Sequence, residues 1–142
     1  MSTEVHFWGR IVEALWHPRR VLNRIENGVL DGMPDTHYCI DGASGWIELK
    51  CPSEPKRETT ALFSGSHKLS IGQANWLLSY VQAGGRAFIG IETDGWVLLV
   101  HGKHSDAINT STITHLKRVS AFSAARPLKP ADWIRFTKVL TS

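Results

Sequence analysis

The dipeptide Asp-Gly occurs three times in this chain, at Asp31-Gly32, Asp41-Gly42 and Asp94-Gly95, each time bordering an apolar run. Such pairs tolerate the positive φ that tight turns demand, so each marks a place where a strand can fold back on a neighbour. Between the second and third lies a helix punctuated at both ends. Ser70 stands three residues before Gln73, which is capping-box spacing, and Gly84-Gly85 closes the run IGQANWLLSYVQA. Strands are expected at about 35 to 40 and 46 to 51 around Asp41-Gly42, and RAFIGIE and WVLLVH around Asp94-Gly95. Ahead of them, Val5, Trp8, Ile11, Val12 and Leu15 recur near the 3.6 period, which predicts a helix over residues 4 to 21 with Thr3 as its cap and an end near His17-Pro18.

A short strand is expected over residues 24 to 30, a weak helix around 112 to 121, and a terminal helix from Pro130. Residues 52 to 69 are polar and rich in Pro, Ser and Gly, a loop long enough to invite a function. The order helix, three strands, helix, two strands, helix describes an α/β or α+β arrangement around a mixed sheet. With 142 residues, 42% of them hydrophobic, the chain can fill one core, so a single domain over residues 1–142 is expected.

Charge narrows the partners without choosing one. Sixteen Lys and Arg against 13 Asp and Glu, with a pI near 9.1, permit a polyanion. No apolar run is long enough to span a membrane, and MSTEVHFWGR lacks the pattern of a secretory signal, so a cytoplasmic protein is expected, in a bacterial cell or a virus-infected host cell. Cys39 and Cys51 make no disulfide framework and lack the companions of a zinc site, and read as reduced thiols.

The stretch GMPDTHYCIDGASGWIELKCP carries the chemistry. If Asp41-Gly42 is a two-residue turn, antiparallel partners have numbers adding to 83, and Asp35 falls opposite Glu48 with Lys50 on the same face. A turn of odd length would send Asp35 to the other face. Two opposed carboxylates repel unless a cation lies between them. A hard divalent ion such as Mg²⁺, for which Mn²⁺ substitutes, suits such oxygen donors and takes its remaining ligands from water and phosphate. Lys50 can then steady an attacking water or the charge that builds on a phosphate. The blander account makes Asp35 a turn cap and Glu48-Lys50 a solvated ion pair.

Gly32-Met33-Pro34-Asp35 followed thirteen residues later by Glu48-Leu49-Lys50 resembles the signature of the PD-(D/E)XK nuclease superfamily. Leu69-Ser70-Ile71-Gly72-Gln73, Trp76-Leu77 and Ala83-Gly84-Gly85 are similar to its VRR-NUC branch, the virus-type replication and repair nuclease domain, in its stand-alone form. The likeness covers roughly residues 4 to 100. It implies a restriction-endonuclease-like core, a central mixed sheet flanked by helices. It implies that Asp35 and Glu48 bind the metal with the Leu49 carbonyl, and that Lys50 orients or activates the water. It also implies a further Glu from the first helix, for which Glu4 is favoured over Glu13 and over Glu26 in the strand ahead of the motif. Gln73 resembles the family's helix glutamine, a role compatible with capping.

On the same resemblance the activity is a Mg²⁺-dependent, structure-selective endonuclease acting on branched DNA such as Holliday junctions, in replication, recombination or repair. Stand-alone members of the branch resemble homodimers, and a twofold pair of sites suits the two equivalent strands of a junction. Lys56, Arg57, His67 and Lys68 are candidate DNA contacts, with Lys117 and Arg118 further on. Trp16, Trp96, Phe122, Trp133 and Phe136 are candidates for a dimer face or for the core. A nicking or nonspecific nuclease and a non-cutting DNA-binding module remain as alternatives; the intact Asp, Glu and Lys set argues against the last.

Overall fold

The computed structural model describes residues 3–25 and 31–142. Thr3 caps α1 (Glu4–Leu15), its hydroxyl accepting the His6 N–H at 3.3 Å, and the helix buries Phe7, Trp8, Ile11 and Leu15 along one stripe. It ends at Leu15 and not at residue 21, because Trp16 turns out of the helix ahead of Pro18 and the chain then enters an edge strand. That strand, β1 (Val21–Arg24), begins earlier than the residues 24 to 30 expected from sequence; residues 26 to 30 lie outside the described residues.

Five more strands complete one sheet in the order β1-β2-β3-β4-β5-β6: β2 (Thr36–Ile40), β3 (Ala43–Lys50), β4 (Arg86–Glu92), β5 (Trp96–His101) and β6 (Phe122–Ala125). Neighbours are antiparallel except β3 and β4, whose parallel pairing requires a crossover. The capped helix α2 (Ile71–Gln82) is that crossover. Its Ser70 hydroxyl accepts the Gln73 N–H at 3.0 Å while the Gln73 side chain accepts the Ser70 N–H at 2.9 Å. The expected mixed sheet flanked by helices is the fold present. Strand β6 escaped the sequence reading because Phe-Ser-Ala-Ala has little alternation, and it follows α3 (Ile113–Val119) after a two-residue link.

Two apolar layers cover the sheet. One joins Phe7, Ile11 and Leu15 of α1 to Tyr38, Ile47, Leu99 and, from α4 (Pro130–Thr141), Phe136 and Leu140. The other joins Leu77 of α2 and Leu116 of α3 to Ile89, Ile91, Leu98 and Val100. Buried Tyr38 ties strand to helix by donating to the Leu140 carbonyl at 2.6 Å. Residues 52 to 69 are anchored to the second layer by Leu62, Phe63 and Leu69. Asn109 clamps this segment: its side-chain amide both donates to and accepts from the Leu69 backbone, each bond 2.9 Å long. Among the described residues no helix is long and apolar enough to cross a membrane.

Candidate active site

The site begins with the Asp41-Gly42 turn. Both residues have positive φ, 50° and 83°, as a type I′ turn requires, and the strands pair Ile40 with Ala43, His37 with Trp46 and Thr36 with Ile47. One further step sets Asp35, just ahead of β2, against Glu48. His37 and Trp46, each two residues along from these acids, are in contact with ring centroids 4.8 Å apart, so the acid pair and the ring pair share a face. The Asp35 carbonyl accepts the Ile25 N–H at 2.5 Å, which ties the acid's backbone to the strand before it.

A second turn brings this hairpin to α2. Gly32 has a φ of 81°, and a side chain there would run into the Gly72 backbone: a Cβ would stand 2.2 Å from the Gly72 oxygen. A Cβ on Gly72 would likewise meet the Asp31 carboxylate, at 2.6 Å. Gly32 therefore lets the motif loop lie against the first turn of α2, where Gln73 sits, whereas the Asp31 side chain can turn away from Gly72.

Gln73 joins the two halves of the site. Its amide nitrogen donates to Glu48 Oε1 at 2.5 Å, and its oxygen, already holding the Ser70 N–H, lies 3.4 Å from Lys50 Nζ. Lys50 Nζ also donates to the Lys68 carbonyl at 3.4 Å and stands 4.0 Å from Glu48 Oε1. Glu48 and Lys50 are both buried, 6% and 8% exposed, and no buried side-chain polar atom among the described residues lacks a hydrogen-bond partner. Burial is the largest influence on Glu48 and pushes its pKa from the usual glutamate value up to about 7. Lys50 opposes that rise, the Asp35 and Glu4 carboxylates add to it, and the Asp35 backbone N–H opposes it again.

These residues line one cavity of about 220 Å³, with Glu4, Asp35, Glu48, Leu49, Lys50 and Gln73 in its wall. Glu4, the first-helix acid favoured from sequence, stands in the first turn of α1 and lines this cavity. Glu13 faces a different cavity, and Glu26 lies outside the described residues. Among the described residues no group of three or more His, Cys, Asp or Glu side chains is placed to hold a metal ion. Asp35 and Glu48, with Leu49 in the same wall, nevertheless offer the hard oxygen chemistry that a divalent ion such as Mg²⁺ prefers.

The DNA-contact candidates are spread out. Lys68 is exposed and adjoins the site through its carbonyl, His67 ends a short 3-10 turn beside it, and Lys56 and Arg57 are exposed further along the loop. Lys117 is engaged elsewhere, its ammonium 3.7 Å from the centre of the Trp96 ring. Sequence reasoning missed Arg24, which lines the cavity beside Asp35, because its place depends on a four-residue edge strand with little pattern. It also missed Asn109, whose clamp on Leu69 has no local signature.

No family model matches the chain, and no curated protein matches it. Among solved structures it is similar in fold to the Holliday junction resolvase Hjc of the archaeal hyperthermophile Archaeoglobus fulgidus. The TM-score is 0.55 at 13% sequence identity, over 80% of this chain and 89% of that one.

Proposed function

We propose that the chain is one PD-(D/E)XK nuclease domain of the VRR-NUC type that hydrolyses phosphodiester bonds in branched DNA with a divalent metal, Mg²⁺ or Mn²⁺. The observation that carries this reading is the cavity in which Asp35, Glu48, Lys50 and Gln73 converge. The fold shared with a Holliday junction resolvase favours a structure-selective nuclease over other hydrolases.

Asp35, Glu48 and the Leu49 carbonyl would hold the ion, with Glu4 of α1 in the same cavity wall. The ion would supply Lewis-acid polarisation of the phosphate and ease deprotonation of the attacking water. Lys50 directs its ammonium at the same space, where it orients the water and stabilises charge on the phosphate oxygens as one P–O bond forms and another breaks. Gln73 links Glu48 and Lys50, donating to the carboxylate and accepting from the ammonium, and so fixes both side chains. Lys56, Arg57, His67 and Lys68 would meet DNA phosphates, with an affinity that falls steeply with salt.

Labelled four-way junction, flap and linear duplex DNA, incubated with and without Mg²⁺, test the reading. Metal-dependent cutting of junctions in preference to duplex is the expected result. Equal cutting of duplex would mean a nonspecific nuclease, and robust cutting in excess EDTA would remove the metal.

A further inference from the structure

Three consecutive residues lead into α2, and each is tied to a different partner. The Lys68 carbonyl accepts from Lys50 Nζ at 3.4 Å, Asn109 holds both backbone polar atoms of Leu69 at 2.9 Å, and Ser70 exchanges two bonds with Gln73. Of these partners Lys50 and Gln73 line the catalytic pocket, and Asn109 does not. Asn109 lies on a 3-10 turn, Ile108–Thr110, between β5 and α3. That turn has supports of its own. Ile108 is buried in the second apolar layer, and the hydroxyls of Thr110 and Ser111 donate to the Ala107 carbonyl at 3.1 and 2.8 Å. The same stretch grips the polar loop a second time, since the Leu62 N–H donates to the Ser111 carbonyl at 3.0 Å and Ala61 bridges to Thr112.

A trans peptide unit is planar, with its N–H and C=O pointing to opposite edges. The Leu69 N–H, held by Asn109 Oδ1, therefore shares a plane with the Lys68 C=O that faces Lys50. The Leu69 C=O, held by Asn109 Nδ2, shares the next plane with the Ser70 N–H, which donates to Gln73 Oε1 at 2.9 Å. That Gln73 oxygen is the other acceptor of Lys50, at 3.4 Å. One side chain thus sets the tilt of two peptide planes, and each plane serves one acceptor of the ammonium.

Anchorage alone does not call for this arrangement. The Leu69 side chain is 4% exposed and already seats the residue in the apolar layer, but apolar contact has no direction. Bonds to both backbone polar atoms add orientation. Lys50 depends on orientation, because an ammonium on a flexible stem aims its third donor only where two fixed acceptors leave it.

We propose that Asn109 is a positioning residue for Lys50, holding the Leu69 backbone so that the Lys68 carbonyl and Gln73 aim the ammonium into the pocket. The proposal rests on the nuclease reading, in which that ammonium orients the attacking water.

Asn109→Ala in the full chain tests it, first without metal or DNA. The Leu69 amide should exchange with solvent about ten-fold faster, while the Ile89 and Leu98 amides of the sheet keep their protection. The Lys50 Nζ resonance should shift. An unmoved Lys50 resonance overturns the inference, whatever the protein cuts. On four-way junction DNA with Mg²⁺, kcat should fall about ten-fold and KM stay within about two-fold, because misplacing a reacting group costs rate more than binding. A KM that rises as far as kcat falls would make Asn109 a support for the DNA contacts His67 and Lys68, and overturns the inference. Lys50→Ala and the double variant Lys50→Ala/Asn109→Ala should cut at the same residual rate, since a residue that acts through Lys50 has nothing left to position. A further ten-fold loss in the double variant, roughly that of Asn109→Ala alone, would mean an independent role and also overturns it. If Asn109→Ala loses its cooperative melt, Asn109→Leu fills the space without either bond and should give the same losses. A wild-type protein that cuts no DNA overturns the nuclease reading, and the amide and ammonium measurements still decide whether Asn109 sets Lys50.

Discussion

The Glu48 carboxyl is placed where water is scarce and two other acids stand near, and this conflict makes it measurable before any cutting is assayed. Its folded pKa of about 7 exceeds the ordinary glutamate value of 4.5. Between those values the folded protein holds a proton that the unfolded chain has released, so stability falls as pH rises through the window, and the loss is complete above the folded pKa. Without metal, Glu48→Gln should therefore stabilise the protein at pH 8 by on the order of 2 kcal/mol and lose that gain near pH 4.5. Thermal melts at the two pH values check this, and an advantage equal at both would contradict the burial argument. In cleavage assays, Asp35→Ala, Glu48→Ala and Lys50→Ala should each cut at least about 100-fold more slowly while binding junction DNA nearly as well. A folded Glu48→Ala protein of normal activity would remove the carboxylate from the reaction. The shared face of these three residues was legible in the sequence because strand alternation with a known turn decides which side chains lie together. Arg24 and Asn109 were not, because each reaches its place through long-range packing.

At the scale of elements, the two glycine turns that build the site differ in what surrounds them. Gly42 has a φ of 83° but nothing within 4 Å of a Cβ, whereas at Gly32 a Cβ would collide with the Gly72 backbone. Gly42→Ala should cost only the left-handed backbone penalty, about 1–2 kcal/mol, and keep its cleavage rate. Gly32→Ala should lose at least as much stability and most of its activity, because the motif loop must lift off α2 and away from Gln73. Melting curves and cleavage rates of the pair decide the matter, and an active Gly32→Ala protein would uncouple loop and helix. The same contrast shows why some elements could be read in advance. Capped α2 and the Asp41-Gly42 hairpin carry their instructions locally. At Asp94-Gly95 the expected two-residue register holds, with the Thr93 N–H bonded to the Trp96 carbonyl at 2.9 Å, yet positive φ is absent and the Thr93 hydroxyl holds the turn by accepting from Gly95 and Trp96. Strands β1 and β6, four residues each, are strands only because a neighbour pairs with them.

For the whole molecule the open matter is whether one copy is enough. Junction cleavage on two equivalent strands calls for two equivalent pockets, and the described residues of one chain bring Glu4, Asp35 and Glu48 together in a single cavity. Of the aromatic residues considered for an interface, Phe122 and Phe136 belong to the core, Trp133 packs against it and Trp96 is half-buried, which leaves Trp16, 68% exposed. Val21 and Ile134 are also exposed apolar residues, on β1 and α4. Edge strand β1 and the exposed turn after α1 are thus where a second copy would find apolar surface next to unpaired backbone. Light scattering at micromolar concentration should give twice the 15.8 kDa of one chain, and Trp16→Glu should shift the particle toward one chain with little change in melting temperature. A heterodimer carrying Glu48→Ala in one subunit should then nick one strand of a four-way junction and leave the other intact. Cutting of both strands by that heterodimer would mean that one site serves both strands in turn, and twofold symmetry would lose its part in the reaction.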